Sequence, residues 1–158
     1  MGNPRLRTIS RVFTIPAPAA GADWSFSPPS GAFAVIHSLR MQLITSAVVA
    51  NRGVRLIVSQ DATEYFRTVA RGTQAASLTQ IYTGFKGFDG PNIVAITVPI
   101  SLPPDGLWLP QGHVLSSSTS NIDVGDQFSA IAGYITEYPA GPSMGEWPDI
   151  HYRNAESE

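Results

Sequence analysis

The chain has no cysteine, so neither disulfides nor thiolate metal sites can stabilise it. Stability has to come from burial and from subunit contact. Charge is scarce as well: Asp, Glu, Lys and Arg make up 14% of the residues, against roughly 25% in typical soluble domains. A surface so poor in charge is covered by Ser, Thr, Gln and Asn, or partly by another protein. A net charge of −2 is too small to steer nucleic acid or a membrane surface, so neither is an expected partner. No apolar run approaches the ~20 residues of a membrane helix. The start MGNPRLRTISRV lacks the apolar core of a secretory signal, and the product is expected to stay soluble where it is made. Met1-Gly2-Asn3 opens like a myristoylation site, but Leu6 stands where Ser or Thr is needed. Phosphate-loop and zinc-helix motifs are missing, and no cofactor is expected.

What is present is alternation. At 158 residues there is room for one domain that buries about two thirds of its unfolded surface. From Phe33 to Ile44 apolar and mixed residues alternate, with Phe33, Val35, His37, Leu39, Met41 and Leu43 on one face. Val54, Leu56 and Val58 repeat the pattern. Ala50-Asn51-Arg52-Gly53 between them tolerates positive φ, so the two strands are expected to form a central antiparallel hairpin, with Asn51 or Gly53 in the left-handed region.

The remaining segments cover this pair. From Leu6 to Ile15, Ile9, Phe13 and Ile15 share a face with Arg7 and Arg11, which reads as an edge strand with its arginines at the rim. Trp24 and Phe26 are expected as lids on the core. Residues 64–70 suit a strand or a single helical turn; residues 73–83 suit a helix or a strand, with the strand favoured in the second half. Residues 92–101 alternate clearly, and Pro99 places that strand at an edge or its end there. Residues 127–138 are apolar on both faces, as a central strand is. Many short strands with Pro/Gly turns and no useful amphipathic helix point to an all-β, jelly-roll-like antiparallel β-sandwich with extended terminal arms. Its parts are an N-terminal strand or arm (1–21), the sandwich (22–138) and an extended C-terminal tail (139–158).

Candidate chemistry is thin. His37 shares a face with Val35 and Leu39 and reads as packed or hydrogen-bonded. His113 with Asp126 and a serine of the 116–118 run gives a hydrolytic triad little support. Asp123 and Asp126 flank Val124-Gly125, a spacing that holds calcium when other oxygens converge; the aspartates bonding backbone amides in an Asx-type turn is the favoured alternative. The chain is therefore read as not an enzyme, with no metal site.

Three stretches together resemble small structural proteins of tailed-phage virions. They are Trp24 with Pro28-Pro29-Ser30-Gly31, then Thr45-Ser46-Ala47-Val48-Val49-Ala50-Asn51-Arg52, and finally Pro110-Gln111-Gly112 followed by Asp123-Val124-Gly125-Asp126-Gln127-Phe128-Ser129. The resemblance spans about residues 22–138 and rests on turn and strand signatures. It implies a virion component assembled in the host cytoplasm, such as a head decoration protein bound to the major capsid protein, or a fibre or tail piece. A homo-oligomer, as a trimer, is expected, with Trp147, Ile150, Tyr152, Phe85, Phe88 and Trp108 as partner contacts. The competing class is a carbohydrate- or receptor-binding module with Trp108, Phe85, Phe88 and Tyr82 as stacking platforms. The alternation itself is tested by far-UV circular dichroism. A β spectrum is expected, and one dominated by helix would end the all-β reading.

Overall fold

A computed structural model describes residues 8–87 and 96–139 and contains no helix among them. One sheet has the order β1 (Ile9–Ile15), β10 (Gln127–Pro139), β3 (Ala32–Ile44), β6 (Thr79–Lys86), β7 (Thr97–Leu102), with the short β8 (Leu107–Leu109) pairing the first part of β3. The second has the order β2 (Ser25–Phe26), β9 (Val114–Ser120), β4 (Arg52–Gln60), β5 (Thr63–Gln74). The ladders are nested: β4 pairs β5, β3 pairs β6, β2 pairs β9 and β1 pairs β10, all antiparallel. An antiparallel ribbon folded over on itself in this way is a jelly roll. β10 against β3 and β9 against β4 join the ribbon's turns into two sheets. The exception to antiparallel pairing is β7, which runs parallel to β6 at the sheet edge. Pro99 sits there, where its missing N–H breaks no ladder.

The core lies between the sheets. Ile36, Leu39, Met41 and Leu43 of β3 meet Val54, Leu56 and Val58 of β4, with Tyr82, Leu115, Phe128, Ile131 and Ile135 around them. Trp24 is buried among these residues, its indole N–H donating to Met41 Sδ at 3.2 Å, and Phe26 packs on Phe13 with ring centroids 4.6 Å apart. Residues 63–74 form one long strand, and the strand over the second half of 73–83 is β6. β1 lies at the sheet edge as expected and is a member of the sandwich. Arg11 at its rim makes a two-pronged ion pair with Glu137 at 3.1 and 2.7 Å.

The expected β3–β4 hairpin does not form. β3 and β4 belong to different sheets, and residues 45–51 carry the chain across the sandwich. Alternation reports that a strand has one buried face, a property that facing strands share with neighbouring ones. Neither Asn51 nor Gly53 has positive φ. At Gly53 an added Cβ would instead stand 2.8 Å from Ser120 Oγ, which receives the Gly53 N–H.

Two bulges re-aim side chains. Against β10, His37 of β3 is skipped between the pairs Ile36–Ile135 and Ser38–Tyr134. The inward set therefore changes from Ala32, Ala34 and Ile36 to Leu39, Met41 and Leu43. Phe33, which the alternation groups with Leu39, Met41 and Leu43, lies on the outer face. On β10 the extra residue falls between Ser129 and Ala132, where Ala130 has φ 48°. Gly133, just beyond it, leaves room for Phe13: a Cβ there would come within 2.5 Å of the ring and closer still to the Ser38 carbonyl oxygen. Gly133→Ala is expected to destabilise by about 1–3 kcal/mol through overpacking. Calorimetry should show a melting temperature several degrees lower; an unchanged value would contradict this packing.

Candidate functional site

The connections at one end of the sandwich are ordered by polar groups buried beneath them. Arg52 and Asp126 are both 0% exposed and form a bidentate ion pair, Nε to Oδ2 at 2.9 Å and Nη2 to Oδ1 at 3.0 Å. The remaining guanidinium N–H groups also find acceptors. Nη1 donates to the carbonyls of Val48 (2.8 Å) and Ala50 (2.7 Å), and Nη2 to Ser46 Oγ (3.1 Å). Asp126 accepts two further bonds, from the Ser46 and Asp123 N–H groups, each at 2.8 Å. All five donors and all four acceptor positions are thus used. Burial alone would raise the Asp126 carboxyl; the bonds from Arg52, Ser46 and Asp123 outweigh it and hold the group below the ordinary carboxylate range.

Around this pair four stretches are tied together. Asp123 Oδ2 accepts from Gly125 N–H (3.0 Å) and Ser46 Oγ–H (2.9 Å), which is the Asx-type turn favoured over calcium. Ser77 N–H donates to the Ser46 carbonyl at 2.8 Å, and Thr45 Oγ1 bonds the Ala75 and Leu78 carbonyls. Buried Gln74 donates to the carbonyls of Leu43 and Leu78 and accepts the Tyr82 hydroxyl at 3.0 Å. Gly21 N–H bonds the Asp126 carbonyl, and Gly21, at φ 74°, lies so close to Val124 that a Cβ would stand 2.7 Å from its Cα. The outer surface of these same loops is apolar: Val49 is 94% exposed and Val124 83%, with Val48, Leu78 and Ile44 also exposed.

The aromatic candidates lie elsewhere. Trp108, 57% exposed, stacks on Phe33 with ring centroids 5.7 Å apart, and Phe33 stacks on Tyr138 at 4.7 Å, across β8, β3 and β10. Phe85, 51% exposed, lines a shallow groove of about 270 Å³ with Val12, Arg40 and Tyr134 on the outer face of the six-stranded sheet. Tyr82 is no stacking platform. It is fully buried, and burial pushes its hydroxyl up to about 12. Phe88, Trp147, Ile150 and Tyr152 lie outside the described residues.

The triad residues are not brought together: His113 contacts Tyr65 and the Gln111 carbonyl, Asp126 is spent on Arg52, and Ser117 Oγ–H donates to Asp23. His37, at its bulge, bonds Thr136 Oγ1 at 2.8 Å, and burial, then Lys86, lowers its pKa. Among the described residues no cluster of His, Asp and Glu is arranged to hold a metal. The sequence does contain one G-x-S-x-G string, Gly141-Pro142-Ser143-Met144-Gly145, outside the described residues. A nucleophile elbow requires a strand before the serine and a helix after it. Here β10 ends at Pro139, and Pro142 and Pro148 on either side of the serine are a composition that disfavours the helix. The reading of the sequence placed Arg52 in a turn and missed the ion pair. Parity was the available signal, since Arg52 has the same parity as Val54, Leu56 and Val58, the inward face of β4.

Arg52→Met leaves a buried carboxylate unpaired and is expected to cost about 3–5 kcal/mol. Because folding lowers the Asp126 pKa below its unfolded value of about 3.9, the stabilisation is present above that value and is lost as pH falls through the folded one. Melting temperatures followed from neutral pH into strong acid should drop more steeply for the wild type than for Asp126→Asn. Parallel curves would show that the pair does not couple to folding.

Comparison with protein-family models, curated proteins and solved structures finds no match to this chain.

Proposed function

We propose that the protein is a non-catalytic structural component of a tailed-phage virion, a decoration protein that binds the head lattice as a homo-oligomer. The observation that carries this reading is a distribution: large apolar side chains (Val49, Val124, Trp108, Phe85) stand exposed on a jelly roll, while Arg52, Asp126, Asp23 and Glu137 are engaged in structural bonds. Exposed apolar surface marks interaction sites, and jelly rolls recur in capsid proteins. Fold alone does not assign function, so the surface carries more weight than the topology. The resemblance of the 45–52 and 123–129 motifs to virion proteins points the same way.

A second reading, a carbohydrate-binding module of a fibre or tail, is favoured by the exposed Trp108 ring. Its weakness is that Phe33, in the middle of the Trp108–Phe33–Tyr138 row, has neighbouring rings on both sides. That closes the Phe33 ring to a sugar and takes up one face of Trp108. The test is sedimentation of the purified protein with heads of the phage whose genome encodes it, beside a glycan array. Saturable co-sedimentation without glycan binding is expected. Glycan binding with all protein left in the supernatant would favour the second reading.

A further inference from the structure

We infer that the free edge of β1 is a self-association surface, on which a second copy of this chain adds its own β1 antiparallel across a two-fold axis and joins two six-stranded sheets into one. The inference rests on the reading above only in taking the protein to be a homo-oligomer, and it does not depend on what that oligomer binds.

A strand at a sheet edge presents unpaired N–H and C=O groups, and native proteins block such edges with short strands, proline, bulges or charge. Three edges of this sandwich are blocked in those ways. β2 has two residues. β7 carries Pro99, and Thr68 Oγ1 of β5 donates to its Ser101 carbonyl at 2.9 Å. β5 is broken by two register shifts against β4 and exposes Glu64, Arg67 and Arg71. β1 has none of these devices. It is seven residues long, contains no proline, and pairs β10 in an unbroken register from Ile9 to Ile15. Its one charged residue, Arg11, is held by Glu137. Among the described residues β1 has β10 on one side and no strand on the other, while Ile9 and Val12 stand 53% and 66% exposed.

The occupant follows from the order of residues along the strand. Ile9-Ser10-Arg11-Val12-Phe13-Thr14-Ile15 has Ile at both ends, a hydroxyl residue next to each end and Val12 at the midpoint. An antiparallel copy that uses the whole strand sets Val12 against the copy's Val12. Ile9 then meets the copy's Ile15, Ser10 its Thr14 and Arg11 its Phe13. The β-branched pairs and the Ser–Thr pair suit a ladder, and no like charges stand opposite each other. Centring the pairing on Arg11 instead would set two guanidinium groups face to face and shorten the ladder. A two-fold contact must be self-complementary; a strand whose pattern reads alike in both directions meets that requirement, so the fitting partner is a second β1.

The test uses the full chain in solution. In sedimentation equilibrium the wild type is expected to rise with concentration from the mass of one copy to that of two. Val12→Lys and Val12→Glu each place like charges opposite one another at the axis, and each alone should raise the dissociation constant by about tenfold. An equimolar mixture of the two variants brings opposite charges together and should recover wild-type affinity. The Val12 side chain is exposed, so circular dichroism and melting temperature of both variants, taken at dilution, should match the wild type. Hydrogen exchange reads the same contact without a substitution: alternate β1 amides, open in dilute protein, should become protected as the dimer forms. A wild type that stays monomeric, variants that associate as tightly as the wild type, a mixture that fails to recover, or β1 amides with unchanged exchange would each overturn the inference. So would a trimer, because a two-fold edge contact closes at two copies. Head binding is read separately by the co-sedimentation above, whose failure would leave the β1 contact in place.

Discussion

A charged pair with no access to water is expensive unless every donor and acceptor on it is used, and the Arg52–Asp126 pair meets that condition by drawing on the chain at many points. Its partners include the start of β4, the crossing segment after β3 and the turn before β10. No one of these segments satisfies the pair alone. The guanidinium needs the Val48 and Ala50 carbonyls, and the carboxylate needs the Ser46 and Asp123 amides. Leaving any of them unmade exposes a full desolvation cost. The loops at this end are consequently held in one arrangement, and their side chains face solvent in a defined geometry.

The same logic divides the molecule into two regions. At the loop end, buried Thr45, Arg52, Gln74 and Asp126 give the interior a polar character. Further along, apart from Ser117 and Thr119 of β9, which bond Asp23, the interior is aliphatic and aromatic, and specificity comes from shape. The bulge at His37 moves Phe33 outward and Leu39 inward, and the bulge at Ala130 lets both Phe128 and Ile131 point into the core. Packing at this density tolerates little substitution, as the Phe13–Gly133 contact illustrates.

Much of the fold was legible in the residues because strands depend on local, two-residue periodicity. The two-sided apolar run at 127–138 is the central strand β10, Pro99 sits on an edge strand, and the Asp123–Asp126 segment is an Asx-type turn. The candidate site was legible only in fragments. Ser46, Arg52, Asp123 and Asp126 stood in conspicuous motifs, yet the segment that holds the first two lies more than seventy residues from the one that holds the others, and no local pattern pairs them. Trp108 and Phe85 were recognisable as exposed because aromatic residues beside Gly and Pro in loop-like stretches seldom bury both faces. Tyr82 was misplaced because a Tyr in an alternating strand has even odds of facing either way.

By itself, then, the amino-acid order determined that the chain would be β throughout, where most of its strands lie, and that disulfides would not hold it. Only the tertiary structure decided which sheet each strand joins, which face of β3 turns inward along its length, and that Arg52 meets Asp126. The reason is physical. Alternation encodes the presence of a buried face through local backbone geometry, whereas sheet membership, bulges and a buried ion pair depend on free energies shared among segments far apart in the chain, which exist only after those segments have met.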